Sequence, residues 1–376
     1  MGQQLQLLHT GTQFFSVLIN DIRASQQSIC LETYVFSGDL TAKSILDELL
    51  KAADRGVRVQ IIADWVGTKG YGGIELLKSA SGRLEVRFYN EGWIGSRGIS
   101  RDHRKIVVID DKICFVGGIN ILDDLYGKSF KLNEPRWDFA VRMVGDIVQV
   151  VDKSFKNHWR LLNYPYGLDN GFFRRENRSA KAVDEGKVSF ISRDNLRNRF
   201  QIEGAYLRAI KAAKKNICLA SPYFVPGRRL RKALINAAKR GVKVRILLGK
   251  KEFFLLDRVT YHLYSQFLKA GVIVAEYDRS WLHAKVGVVD DDWLTIGSSN
   301  LDALSFFINH EANVVIRSHT VVVQMQSYFD EAFYQFSHVV KHEDVVRKKI
   351  KDRLFDWFCY VFYRLIMKLL TSGRYD

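Results

Sequence analysis

One stretch of this chain occurs twice. "RDHRKIVVIDDKICFVGGIN", starting at Arg101, returns as "LHAKVGVVDDDWLTIGSSN", starting at Leu282. His103, Lys105 and Asp110 are matched by His283, Lys285 and Asp290. Six residues separate each aspartate from the next glycine, Gly117 or Gly297, and Asn120 and Asn300 close the two units. The flanks repeat as well: "AADRGVRVQIIAD" (Ala52–Asp64) returns as "AAKRGVKVRILLG" (Ala237–Gly249), and "SICLETYVF" (Ser28–Phe36) as "NICLASPYF" (Asn216–Phe224). A duplication limits the fold to two copies of one plan. In each copy a helix end, a glycine stop and an alternating strand follow one another, and strands alternate with helical segments. The class is therefore α/β, a sheet with crossover helices in each half.

This reading places one half at 1–163 and the other at 188–340. The join falls on the polar, aperiodic stretch "YPYGLDNGFFRRENRSAKAVDEGK" at 164–187, and 341–376 belongs to neither repeat. Within the last segment, Leu354, Trp357, Phe358, Val361, Phe362, Leu365 and Leu369 recur at helical spacing, with "RKKIK" ahead of them. Charge interrupts this run too often for a membrane span. It reads as an amphipathic helix lying on an anionic membrane surface, with packing against the α/β halves as the alternative.

The repeated residue types suit phosphate chemistry. On a strand, His103 and Lys105 point to one face, so that an ammonium can neutralise phosphate oxygens while an imidazole attacks or donates a proton. Asp110 falls on the other face and reads as structural or orienting. Gly117-Gly118 and Gly297-Ser298 allow close backbone approach, and Asn120 and Asn300 supply amide donors. Two such units supply a nucleophile and a proton donor without a metal. Each histidine also needs a carboxylate on its other ring nitrogen. Asp138 and Glu311 are the candidates, each about thirty residues after the histidine of its own half. Tyr34 and Tyr223, at matching strand ends, read as core aromatics, with lining the cleft as the alternative.

Composition narrows the partners. A formal net charge of +16 over 376 residues favours an anionic one: nucleic acid, membrane surface or phosphate-bearing substrate. Cys30, Cys114, Cys218 and Cys359 are scattered, without ligand spacing, so neither structural zinc nor a disulfide framework is expected. The opening "MGQQLQLLHTGTQFF" lacks the pattern of a signal peptide. No GxxxxGK[ST] loop is present, so a nucleotide is not expected.

These residues resemble the phospholipase D superfamily, whose signature is HxKxxxxD followed by GGxN or GSxN. The resemblance runs through both halves, and "GSSNLDALSFFINHEANVVI" is similar to bacterial cardiolipin synthases, especially short forms without N-terminal transmembrane helices. Leu304 stands where many of them carry an arginine. The resemblance implies a duplicated phospholipase D-like fold, two α/β/α sandwiches about a pseudo-twofold axis, and no cofactor or metal. It implies that His103 is the nucleophile of a phosphatidyl-histidine intermediate and that His283 is the acid and base. Lys105, Lys285, Asn120, Asn300, Gly118 and Ser298 would hold the phosphate, with Asp138 and Glu311 orienting the histidines and Asp110 and Asp290 completing the motifs. The implied reaction converts two phosphatidylglycerols into cardiolipin and glycerol, at the cytoplasmic face of a bacterial membrane. Phospholipid hydrolysis, a nucleic-acid phosphodiesterase and a non-catalytic membrane-binding protein are the competing readings. Nucleic acid is not the expected partner, since no basic strand carries a regular aromatic stacking platform. The sequence leaves the oligomeric state open.

Overall fold

A computed structural model describes residues 4–126, 131–163, 188–195, 198–249, 254–371 and 375. The expected join at 164–187 lies outside the described residues.

The first sheet has seven strands: β1 (Gln4–His9), β2 (Ser28–Thr33), β3 (Arg58–Asp64), β4 (Glu85–Tyr89), β5 (Ile106–Ile109), β6 (Ile113–Gly117) and β7 (Phe139–Val144). Their order is β1-β7-β6-β5-β2-β3-β4. The β2-β3-β4 block is parallel, and the pairings from β1 through β7, β6 and β5 to β2 are antiparallel. The second sheet contains β8 (Val188–Arg193), β9 (Asn216–Ser221), β10 (Lys243–Leu248), β11 (Ile273–Tyr277), β12 (Val286–Val289), β13 (Trp293–Gly297), β14 (Glu311–Ile316) and β15 (Ser337–Val339). Read from β8 it runs β8-β14-β13-β12-β9-β10-β11-β15. That is the first order repeated, with β15 added antiparallel on the β11 edge. The duplication read in the sequence is thus two similar α/β sheets with flanking helices.

Local chemistry explains the matching elements. The helix Leu40–Asp54 starts where the Asp39 carboxylate accepts from the Ala42 N–H at 2.8 Å. It ends before Gly56 at φ +90°, and the helix Arg228–Lys239 ends before Gly241 at φ +88°. A side chain would strain the left-handed backbone there, so this glycine recurs in both copies. The parallel strands β2 and β3 are buried along most of their length, with Leu18, Ile22, Ile45 and Leu49 from flanking helices packed against Ile29, Leu31 and Ile61.

The chain forms two compact units, 1–191 with 296–298 and 310–314, and 192–295 with 299–309 and 315–376. Three short pieces of chain therefore do not follow the sequence halves: 188–191 in β8, 296–298 and 310–314 all belong to the first compact unit. In the second unit the helix Ile350–Leu370 packs on the helix Phe254–Lys269. Asp356, Cys359 and Met367 are buried, Arg258 and Lys348 pair with Asp356 at 3.1 and 3.2 Å, and His262 stacks on Tyr360. All seven apolar residues singled out by their spacing lie on the opposite face and are exposed, from Val361 at 40% to Leu369 at 74%. Among the described residues no helix is long and apolar enough to cross a membrane.

Candidate active site

The first motif is not wholly strand. β5 begins at Ile106, so His103 and Lys105 lie on the extended approach to it, which corrects the strand expected across both. Backbone bonding to His310 holds this approach instead. The His310 N–H donates to Arg101 O at 2.8 Å, and the His103 N–H donates to His310 O at 2.9 Å. That single bridge puts Glu311, the next residue, beside the histidine. His103 Nδ1 lies 3.0 Å from Glu311 Oε2, and the Glu311 carboxylate is fully buried. Ser298 Oγ donates to the same carboxylate oxygen, and the Ala312 N–H donates to Ser298 Oγ at 3.0 Å.

Spacing alone assigns Glu311 to the histidine of its own half. The structure places it on His103 instead, because the segment 310–314 folds into the first compact unit. A carboxylate that accepts from Nδ1–H fixes the tautomer, and Nε2 is left as the basic nitrogen.

The two lysines behave alike. Lys105 Nζ donates to His103 O at 2.7 Å, and Lys285 Nζ donates to His283 O. Both are buried, at 5% and 2% exposure, so each ammonium is held beside its histidine rather than in solvent. Asn120 Oδ1 accepts from the Val35 N–H at 3.1 Å, and the Asn300 N–H donates to Ser305 Oγ at 3.1 Å. Gly118 and Ser298 each stand against a downstream carboxylate. A Cβ at Gly118 would collide with Asp138, itself buried, whereas Ser298 reaches Glu311 with its hydroxyl.

Asp110 and Asp290 stand at the other end of β5 and β12. Asp110 accepts backbone N–H groups of Gln26, Gln27 and Ser28 at 2.9, 2.8 and 3.0 Å. Asp290 accepts those of Lys214, Lys215 and Asn216 at 2.9, 2.8 and 2.9 Å. Both residues have positive φ, +52° and +50°, at the turn that closes the strand. Burial raises both acids, but the three N–H donors outweigh it and hold each below the usual carboxylate range. Four strand residues, roughly 13 Å of extended chain, separate Asp110 from Lys105.

Tyr34 corrects a second expectation. It is half-buried, with its ring edge-on to His103 at 4.9 Å between centroids and Lys105 Nζ 5.3 Å from the ring centre. Its place just past the carboxyl end of the parallel strand β2 was the available signal, since ligands bind at that end of such sheets. Also missed was the buried cluster under the bridge. His310 stacks on His158, whose Nδ1 lies 2.7 Å from Glu32 Oε1, and Arg104 lies 3.1 Å from Glu32. Asp102 completes it, raised well above the usual range by burial and then by the Glu32 charge. Among the described residues, Glu32, Asp102 and His158 are a grouping with metal-ligand spacing, but Arg104 already supplies the positive charge there.

The family model described as "Cardiolipin synthase, PLD-like domain" matches residues 18–159 and 206–333. Cardiolipin synthase B of Salmonella typhimurium is 37% identical over 336 residues, covering 85% of this chain and 78% of that one. The chain belongs to this family. Other cardiolipin synthase relatives are that of Staphylococcus aureus, 32% identical over 90% of this chain and 68% of its own, and cardiolipin synthase B of Escherichia coli K12, 35% identical over 84% and 76%. Among solved structures, a phosphatidylserine synthase of Haemophilus influenzae superposes with a TM-score of 0.71 at 16% identity, covering 98% of this chain and 95% of that one, a likeness of fold. Each of the two cardiolipin synthase-type matches contains one of the histidine–lysine motifs.

Proposed function

We propose that the protein is a phosphatidyltransferase that joins two phosphatidylglycerols into cardiolipin and releases glycerol. The observation that carries this reading is His103 held by a buried carboxylate beside a buried ammonium. In the first step His103 Nε2 attacks phosphorus. An N–P bond forms, and the P–O bond to the glycerol head group breaks. The departing oxygen needs a proton, which we assign to His283 as the matching imidazole of the repeat. In the second step His283 takes a proton from a hydroxyl of another phosphatidylglycerol, whose oxygen displaces His103 from phosphorus. The phosphodiester is conserved, so no nucleotide is consumed. Lys105, Lys285, Asn120 and Asn300 hold the phosphate oxygens, with Gly118 and Ser298 beside them. Glu311 orients His103, and we assign Asp138 the same task for His283. Asp110 and Asp290 pin the strands behind the motifs.

The substrate lies in a bilayer, and the exposed face of Ile350–Leu370 is our assignment for the contact. Aromatic and aliphatic side chains face outward, and Arg353, Arg364 and Lys368 are exposed among or beside them. Such a helix lies in the interface of anionic lipid. The proposed site of action is the cytoplasmic face of a bacterial membrane, with the protein bound peripherally.

The test is turnover on phosphatidylglycerol vesicles. Cardiolipin and free glycerol are expected in equal amounts. Phosphatidic acid in place of cardiolipin would make the protein a hydrolase. Cleavage of single-stranded DNA with no lipid product would overturn the proposal.

A further inference from the structure

Between β4 and the first motif the chain makes a loop, 90–100, whose tip is apolar and outward. Trp93 is 77% exposed and Ile94 80%. The loop is a built structure. Gly95 and Gly98 form an antiparallel bridge, and Asn90 Nδ2 donates to Gly98 O and Ser100 O at 2.8 and 2.9 Å. The Arg97 N–H donates to Asn90 Oδ1 at 2.9 Å, while its buried guanidinium turns inward to Leu161 O at 3.0 Å. Arg101 braces the far side. Its guanidinium donates to Trp93 O at 2.8 Å and to Asn90 O and Gly92 O, both at 3.2 Å. Arg101 is two residues from His103, and its carbonyl accepts the His310 N–H in the bridge that sets Glu311.

We propose that the Trp93–Ile94 tip inserts into the head-group layer of a phospholipid bilayer and seats the His103 segment on the surface that carries its substrate. This deepens the phosphatidyl-transfer reading and rests on it. Three observations choose lipid over other occupants. The tip "GWIGS" has no charge, which suits a lipid interface and not a nucleic-acid backbone. Tryptophan settles at the boundary between head group and acyl chain. A single aromatic buries at most roughly 250 Å², so Trp93 and Ile94 fall far short of the roughly 800 Å² per partner of a stable protein interface, and a second copy is a poor occupant.

The experiment compares the full chain with Trp93→Ser/Ile94→Ser and with Trp93→Phe/Ile94→Leu. Three readouts are taken: sedimentation with vesicles of equal phosphatidylglycerol and phosphatidylcholine, tryptophan quenching by brominated phosphatidylcholine, and turnover of short-chain monomeric phosphatidylglycerol. The serine pair is expected to weaken vesicle binding about tenfold and to lower vesicle turnover in parallel, with monomeric turnover unchanged. The Phe/Leu pair should restore binding. A Trp93→Phe single variant should lose part of the bromolipid quenching. Unchanged binding together with unchanged quenching overturns the proposal. So does equal loss on monomeric substrate, which would make the loop a scaffold for His103, or a lipid-free dimer abolished by the serine pair. If no protein turns over phosphatidylglycerol, the functional reading fails, while binding and quenching still decide the role of the tip.

Discussion

His103 is a nucleophile candidate because of what stands behind it. A buried carboxylate on Nδ1 keeps Nε2 basic and stabilises the charge that grows on the ring as phosphorus bonds to it. Glu311→Gln retains an acceptor but loses that charge, so kcat is expected to fall by roughly 10²- to 10⁴-fold with KM little changed, as measured on vesicle phosphatidylglycerol. A large rise in KM instead would assign Glu311 to substrate binding. His103→Ala and His283→Ala should each abolish turnover with the fold retained. Labelled phosphatidyl should be trapped on His103 when His283 is replaced. Label on His283, or substantial activity in either variant, would contradict the assigned roles.

At the scale of elements, Asp110 and Asp290 fasten the chain entering β2 and β9 to the far turns of β5 and β12. Their folded values lie below the usual carboxylate range, so each contributes stability that is present above about pH 3.9 and is lost as pH falls through the folded value. Asp110→Asn would present an amide NH2 to backbone donors, and should cost about 1–3 kcal/mol near pH 7. Urea unfolding as a function of pH checks this: the gap between variant and wild type should narrow as pH falls below about 3.9 and through the lowered folded value. A constant gap would place the loss elsewhere. The helix Ile350–Leu370 calls for substitution and not truncation. Removing it would strip Asp356 from Arg258 and Lys348 and uncover the helix Phe254–Lys269. Trp357→Ser with Phe358→Ser changes only the exposed face. It should weaken binding to anionic vesicles, and monomeric phosphatidylglycerol should be turned over as before.

At the scale of the whole molecule, the net charge of +16 makes lipid affinity an electrostatic quantity. Each basic side chain near an anionic surface contributes roughly 1 kcal/mol, screened over about 8 Å at physiological salt. Vesicle binding should therefore weaken steeply between low and high salt, and binding insensitive to salt would point to apolar insertion alone. Turnover should also survive a chelator. In the proposed reaction two imidazoles and two ammonium groups supply the proton transfer and charge that phosphoryl chemistry needs, and Arg104 pairs with Glu32 in the buried Glu32–Asp102–His158 group. Activity lost to chelation and restored by one divalent ion would refute this.

The sequence by itself determined the duplication, and with it the matching strand order of two sheets, because a repeated pattern of helix ends, glycine stops and buried strands leaves each half the same solution. It also marked the residues of both motifs, since type and spacing along one chain are local properties. It marked the apolar face of Ile350–Leu370 for the same reason, although not that the opposite face would bury Asp356, Cys359 and Met367. Only the tertiary structure decided that Glu311 meets His103. Glu311 lies 208 residues from His103 and reaches it through one backbone bridge at His310. Spacing along the chain cannot register such a contact, because it depends on which pieces of chain fold into one compact unit. The same holds for Tyr34 against His103 and for the Arg101 brace under Trp93. Each is made by a turn or a strand end, where the periodicity that reveals helices and strands stops.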